Sequence, residues 1–527
     1  MVSLYIINPS SDFPTYFSAD VLAATGRTPG ALIADLAIAT LAAFAPPDFG
    51  VTLCDENAGP VDFEVDADWI AITGKVNQRQ RMIAIAGEFR RRGRRVVIGG
   101  PYASLSPDVM RPHCDVLVRG EIEDIHEQFF ADLRAGSPRE EYIGDRPDLA
   151  RSPVPRWDLY PSDQAMMGSI QTSRGCPFEC EFCDVIQYLG RKQRHKPIAQ
   201  VLAELDVLAA RGHRSAFVAD DNFTASRRRA KELLEAMASW RVGKDLALAT
   251  QVSIDSARDD ELLGLCASAG ITQVFIGIET PNPESLRETK KRQNLNVDLA
   301  AQVDRFVEHG IAVIGGMIVG FDADGLDIFQ RQYEFAMSSA IPLFTLGALV
   351  APDATPLHAR MEAEGRLLRG GPEVQAVPWS SNIVPKQMTA EQLDRGLRSL
   401  CGALYAPAAF GERVLRFIDR FPARPPIARA DATPARAIDA AVVEVAMGVR
   451  RLGPEEQRMW YRVWAAVARR PETAPTVTGM LFHYAQIRHL YARGTYWEPQ
   501  LATELLQQVP IVSPPPITLG RRPTPSA

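Results

Sequence analysis

The run Gln171-Thr-Ser-Arg-Gly-Cys-Pro-Phe-Glu-Cys-Glu-Phe-Cys-Asp184 sets Cys176, Cys180 and Cys183 in the spacing C-x-x-x-C-x-x-C. Four thiolates close a four-iron four-sulfur (4Fe-4S) cluster, as in ferredoxins, whereas three leave one iron able to bind a second molecule. An open iron implies chemistry rather than electron storage. Only 7 cysteines occur in 527 residues, so random placement gives this triplet in about one such chain in a thousand. A structural zinc site usually draws its ligands from two separated pairs, and no second pair follows here. The nearest further ligand is His195, in the basic stretch Arg191-Lys-Gln-Arg-His-Lys196. Inert core thiols are the other bland reading.

Outward from this run the chain alternates strand and helix patterns. Residues 168–172 lead into the Cys loop, and 215–219, 246–252, 273–278, 311–319 and 344–350 read as further strands. Helical periodicity covers 198–211, 225–240, 259–269, 297–310 and 326–340. Six β/α units predict a partial (β/α)6 barrel of the TIM type over residues 163–365, with active groups at the C-terminal strand ends. Before it, residues 1–150 alternate strands at 4–8, 51–54, 69–73, 95–99 and 116–119 with helices at 31–44, 78–92 and 125–135. This is the pattern of a Rossmann-like α/β unit with a parallel sheet covered on both faces. A linker at 146–162 carries Pro147, Pro153, Pro155 and Pro161. Residues 366–508 read as a mainly helical domain, with helices expected at 390–404, 409–421, 435–452, 455–469, 477–492 and 499–508. A Pro-rich tail at 509–527 is expected to be disordered.

Polar residues gather at the expected strand ends. In the second block these are Asp220, Asp221 and Asn222, then Gln251 and Ser253, then Glu279 and Thr280, then Gly315 and Gly316 with Gly320. A small zwitterionic cofactor needs a partner for its ammonium, acceptors for ribose hydroxyls and a glycine-lined slot for adenine. Each feature also has a plainer reading. Asp220 or Asp221 could cap the helix near Ala225, Glu279 could cap a helix or form a salt bridge, and the glycines could serve tight strand packing. In the first block, Gly74, Gly99, Gly100 and Glu121 sit in strand-end loops where small residues let a flat, bulky ligand approach the backbone. No histidine is nominated; His113, His126 and His309 adjoin predicted helix ends, and His483 and His489 fall on a C-terminal helix. Trp460 and Trp464, at i and i+4, read as core packing.

The Cys spacing, Phe182 before the third Cys and the flanking Arg174-Gly175 resemble the radical SAM (radical S-adenosylmethionine) superfamily. That resemblance implies an iron-bound S-adenosyl-L-methionine, cleaved by one electron to a 5′-deoxyadenosyl radical, with metal-binding and catalytic roles for Cys176, Cys180 and Cys183. It further implies that the segment after the second strand meets the cofactor ammonium and that the fifth-strand glycines border adenine. The preceding α/β unit, with Cys54-Asp-Glu-Asn57 and Gly99-Gly100-Pro101, resembles the cobalamin-binding domain of class B radical methylases. The D-x-H-x-x-G signature that supplies a cobalt-ligating His elsewhere is absent, as expected for that class. With Val218-Ala-Asp-Asp-Asn-Phe223, Gly277-Ile-Glu-Thr280 and Ala351-Pro-Asp-Ala-Thr-Pro-Leu357, the chain looks like the hopanoid C-2 methylase and bacteriochlorophyll side-chain methylase group. The implied activity is a cobalamin-dependent radical SAM methyltransferase acting on a carbon of a lipid, tetrapyrrole or other natural product. The rivals are an oxidative cyclase resembling the anaerobic magnesium-protoporphyrin ester cyclase, and a non-catalytic iron-sulfur sensor. A low-potential electron donor such as flavodoxin or ferredoxin is the implied partner.

Composition is that of an ordinary globular protein: 46% hydrophobic, 23% charged, net charge -6. That balance argues against a nucleic-acid binder working by phosphate neutralisation. The longest apolar stretch, 31–45, is broken by Asp35, falls short of a membrane span and reads as a buried helix. The start, Met1-Val-Ser-Leu-Tyr-Ile-Ile-Asn8, enters a strand at once and carries no basic export region. Scattered cysteines and an oxygen-sensitive cluster together lead to the expectation of a cytoplasmic location.

Overall fold

The computed structural model describes residues 1–13, 15–26, 30–368, 379–423 and 439–493. The helix expected at 499–508 and the tail at 509–527 lie outside the described residues.

Fifteen strands are described: β1 (Val2–Asn8), β2 (Ala31–Ile33), β3 (Phe49–Asp55), β4 (Trp69–Thr73), β5 (Arg95–Gly99), β6 (Val116–Arg119), β7 (Glu141–Ile143), β8 (Ala165–Ile170), β9 (Ser173–Arg174), β10 (Arg194–His195), β11 (Ser215–Val218), β12 (Ala247–Gln251), β13 (Ile271–Glu279), β14 (Ala312–Val319) and β15 (Leu343–Ala348). The first sheet is parallel with order β3-β1-β4-β5-β6-β7. This is a doubly wound order with its switch point between β1 and β4, where open α/β sheets bind ligands. Alternate residues feed two cores. Leu4, Ile6, Ala71 and Val97 pack with helix Leu36–Phe44 and helix His126–Ala135, while Tyr5, Ile7, Ile72 and Ile98 pack with helix Arg79–Arg91. With both faces covered, the strands read as continuous β-branched runs.

The second sheet is also parallel, in the order β15-β14-β13-β12-β11-β8-β2, and curls into a partial barrel. Six of its strands are those expected. The seventh, β2, comes from the N-terminal region and pairs with β8 through Ala31↔Ala165 and Ile33↔Met167. The expected helix at 31–44 is therefore corrected: residues 31–33 are strand and the helix begins at Leu36. The cause is Asp35, whose side chain accepts a hydrogen bond from the Ile38 N–H at 3.0 Å and so fixes the helix start. A second short strand, β7, also escaped the sequence pattern. The Pro-rich connector is firmly packed, with Trp157 fully buried and the Tyr160 hydroxyl donating to Asp55 at 2.6 Å.

A partial barrel has two exposed edges, β15 and β2. The outward backbone groups of β15 are met by tyrosines instead of another strand. The Tyr405 hydroxyl accepts from the Phe344 N–H at 2.8 Å and donates to the Phe344 carbonyl. Two residues on, the Tyr16 hydroxyl accepts from the Leu346 N–H at 3.0 Å and donates to its carbonyl at 2.7 Å, while Tyr491 bonds Tyr16 at 2.7 Å. Helix Ala474–Arg493 spans the gap, with Tyr491 toward β15 and Phe482 clustered with Leu32 of β2. Gln486 of the same helix holds the N-terminal segment at Val21 and Ser18. Helices Ala390–Leu404, Pro407–Arg420, Ala440–Gly448 and Pro454–Arg469 complete the helical part. Trp460 and Trp464 lie 5.6 Å apart within its packing, as the i, i+4 spacing implied. Replacing Tyr405 by Phe strands a buried N–H and carbonyl; urea denaturation should show a loss of about 2–3 kcal/mol.

Candidate active site

The Cys loop leaves the barrel after β8 and is closed at its base by a two-residue antiparallel ladder, Arg174↔Arg194 and Ser173↔His195. Like charges opposite one another on a ladder repel. Here both guanidiniums grip the loop after β6. Arg174 meets Glu121 at 2.6 Å and Glu123 at 2.8 Å, and Arg194 meets both Glu121 oxygens, at 2.5 and 2.9 Å. The two carboxylate side chains are only 2% and 1% exposed. The arginines are thereby neutralised, and the Cys loop is tied to the C-terminal edge of the first sheet.

Within the loop, Gly175 has φ +92° and its backbone runs against Lys192 and Gly190 carbonyls, so a side chain there would be strained and would clash. The Cys176 N–H donates to the Gly190 carbonyl at 3.2 Å and the Cys183 N–H to the Cys180 carbonyl at 3.1 Å. Glu181, between the second and third Cys, receives two hydrogen bonds from Arg360 at 2.8 and 2.9 Å; Arg360 in turn meets Asp322 at 2.7 Å. Cys180 is buried and receives the Gln293 side-chain amide at 3.7 Å. The Lys291 ammonium is paired with Glu279 at 2.6 Å and adds positive charge beside the thiols. Burial raises Cys176 and pushes Cys183 up to about 12, with Lys291 acting in the opposite sense on both. Binding a metal centre here must therefore displace thiol protons.

The remaining predicted residues separate into two groups. Asp220 is fully engaged: it accepts from the Thr172 N–H, the Thr172 hydroxyl and the Ser173 hydroxyl at 2.5–2.6 Å, so it staples the end of β8 and caps no helix. A Cβ at Gly315 would strike Phe344 and one at Gly316 would strike Phe275, so those glycines make room for aromatic rings. Glu121 is held by the two arginines, although it also borders the cavity described next. Gly100, at φ +89°, has no space for a side chain beside Thr73, and Gly74 runs close to Met82. Asp221, in contrast, accepts from the Gly175 N–H at 3.0 Å and faces the cavity with Gln251. Ser253 accepts from Asn222 at 3.2 Å. Glu279 sits at φ +61°, a strained position for a residue with a side chain. Gly277 leaves the space that its ion pair with Lys291 fills. Lys291, Gln293, Glu181, Arg360 and Arg194 carried no sequence signal beyond their nearness to the motif or their charge.

Between the C-terminal edges of the two sheets lies a cavity of about 720 Å³. The first sheet contributes Thr73, Lys75 and the Gly99–Tyr102 turn, where β5 passes directly into helix Gly100–Leu105; the barrel side contributes Asp184, Tyr188, Asp221 and Gln251. Three soft thiols along one loop suit an iron-sulfur cluster, where each Cys takes its own iron. Among the described residues no three His, Cys, Asp or Glu side chains converge as ligands of a single ion. The cavity's breadth and backbone-lined turn suit a flat macrocycle.

Two outcomes follow. Arg360→Met removes the partner of Glu181 and should weaken cluster retention about tenfold or more, read as iron remaining after desalting. Burial raises Asp221 to about 6. A raised carboxyl favours the fold most below about pH 4 and loses that contribution as pH rises through about 6. Asp221→Asn should therefore gain stability over the parent between pH 4 and pH 7, by up to about 3 kcal/mol in thermal or urea melts of the metal-free chain.

Residues 170–335 match the Radical SAM superfamily, and residues 355–495 match a domain of unknown function, DUF4070. The chain is 38% identical to an uncharacterized methyltransferase (sll1242) of Synechocystis over 67% of each chain. It is 34% identical to the hopanoid C-2 methylase of Rhodopseudomonas palustris over 62% of this chain and 64% of that one. Its fold is similar to that of the cobalamin-dependent S-adenosylmethionine radical enzyme OxsB, with TM-score 0.60 at 13% identity, covering 94% of this chain and 80% of OxsB. A similar likeness holds for TsrM of Kitasatospora setae, with TM-score 0.55 at 17% identity, covering 90% and 100%. With its three-cysteine loop at the mouth of a partial barrel and these relatives, the chain belongs to the radical SAM methyltransferase family.

Proposed function

We propose that this protein is a cobalamin-dependent radical SAM enzyme that methylates a carbon of a small molecule. The observation that carries the reading is the apposition of two sheet edges across one cavity, with the Cys loop on one side and the Gly99–Tyr102 turn on the other. When bound, a 4Fe-4S cluster, S-adenosylmethionine and cobalamin together supply the electron, the radical and the methyl group.

The chain's own residues do the placing. Cys176, Cys180 and Cys183 would hold the cluster, with Lys291 offsetting the negative charge of the thiolates. Asp221 after β11, and Gln251 and Ser253 at the end of β12, would face S-adenosylmethionine, Asp221 toward its ammonium. Glu279 would keep Lys291 in place. Lys75 and the Gly99–Tyr102 turn would border cobalamin, with Gly74 shaping the neighbouring loop. Asp220, Gly315 and Gly316 serve the frame, and Glu121 ties the two halves so that donor and acceptor groups keep one spacing. Burial between the sheets excludes water from reactive species. Among the described residues no helix is long and apolar enough to cross a membrane. A low-potential donor of the flavodoxin or ferredoxin type, in a reducing cytoplasm, completes the reading.

The test is anaerobic reconstitution with iron, sulfide and cobalamin, followed by S-adenosylmethionine and reduced flavodoxin. The parent chain should release 5′-deoxyadenosine and S-adenosylhomocysteine, and Cys180→Ser should lower the first at least about a hundredfold. A cluster-loaded chain that binds cobalamin but leaves S-adenosylmethionine intact would sink the proposal.

A further inference from the structure

At the opposite end of the barrel from the Cys loop, a second cavity of about 940 Å³ opens among the N-terminal ends of β8, β11, β12 and β13. Its outer wall is helix Ala474–Arg493, inside the matched domain of unknown function. Its buried lining is apolar apart from His213 and includes Leu32, Ala247, Ala249, Ile271, Val442 and Phe482, while the charged residues that border it, such as Arg211, Arg214, Asp245 and Glu472, are exposed or half-buried.

Three observations point to a ligand. First, His213 is only 8% exposed, borders this cavity, and its Nε2 has no hydrogen-bond partner. A buried polar atom left unpaired costs about 1–3 kcal/mol, so it is rarely retained without a partner. Burial also lowers the imidazole pKa, so the ring is presented neutral. Second, Gly479 lies inside a 20-residue helix, where glycine costs about 1 kcal/mol relative to alanine. It borders the cavity, and a Cβ built on it would meet nothing within 4 Å. Packing against the protein does not demand this glycine; it keeps space open. Third, the two cavities share strand faces. Met167, Ser215 and Ala249 line the lower one, and Ser169, Phe217 and Gln251, each two residues further on the same face, line the upper one. At the rise of a strand, only about 7 Å separates each pair.

We propose that the lower cavity receives the methyl acceptor, an uncharged and mainly apolar small molecule that bonds His213 Nε2 and extends along the barrel interior toward the Cys loop. This deepens the methyltransferase reading and rests on it. Charged acceptors are disfavoured because the unpaired atom belongs to a neutral ring and the other buried lining residues are apolar, the charged ones being exposed or half-buried. The helical domain then acts as the wall that selects the substrate's body.

A neutral sterol bearing a nitroxide, doxyl-cholestane, serves as the probe, followed by electron paramagnetic resonance on the cluster-loaded full chain. Saturable immobilisation of the label is expected, as is faster relaxation of the bound label once the cluster is reduced. A Cβ at Gly479 meets nothing within 4 Å, so Gly479→Phe places its ring toward the cavity, and its affinity for the probe should fall at least about tenfold while 5′-deoxyadenosine release persists. Gly479→Leu provides the same reading should the larger ring lower the melting temperature. Undiminished probe affinity in both variants overturns the proposal, as does label relaxation indifferent to cluster reduction. Failure of the parent chain to cleave S-adenosylmethionine would instead sink the underlying activity, and the probe titration, which needs no turnover, would still judge the cavity.

Discussion

Glu121 and Glu123, gripped by Arg174 and Arg194, are the interaction on which the arrangement of this molecule rests. Taking two carboxylates almost wholly out of water costs several kcal/mol per ion, recovered only when geometry is good and the remaining lone pairs are satisfied. Such a knot is a poor source of stability and a good source of registry. It joins the loop after β6, in the first sheet, to both strands of the short separate ladder at the base of the Cys loop. Wherever the first sheet sits, the cysteines must follow.

Around this knot the loop is fixed from several directions by groups outside the motif. Asp220 gathers Thr172 and Ser173 from below, while Arg360 and Asp322 secure Glu181 from the side of β14. Strain accumulates at the same place, with Glu279 left-handed at the end of β13 and Gly277 clearing room for Lys291. A residue held in a sparsely populated conformation persists only where its surroundings over-determine it. The effect is a rigid seat for three thiols in a region otherwise made of loops.

The barrel's incompleteness is the second organising fact. An edge strand normally invites another strand. Tyr405 and Tyr16 answer the backbone groups of Phe344 and Leu346 with hydroxyls, which end the sheet without extending it. The closure is made by a helix rather than further strands, and a cavity lies at each end of the barrel. The helical part thus does more than cover a hydrophobic edge; it supplies one wall of the cavity that Gly479 and His213 both border.

Much of this could be read along the chain. The C-x-x-x-C-x-x-C run points to the family because three thiols at that spacing are local, and β-branched runs alternating with amphipathic helices reveal two parallel sheets because burial on both faces is written into each strand. What crosses between elements was not legible. β2 was read as helix because an apolar stretch of three residues before Asp35 has no period of its own, and its partner β8 lies more than a hundred residues away. Asp220 and Asp221, adjacent and alike in sequence, part company only when Thr172 and Ser173 claim the first and leave the second facing a cavity. Lys291 and Arg360 look like ordinary surface cations until the fold buries one beside the thiols and aims the other at Glu181. Local ligand chemistry and periodicity are properties of the chain by itself; which charges meet, and where an unfilled space remains, are decided by packing.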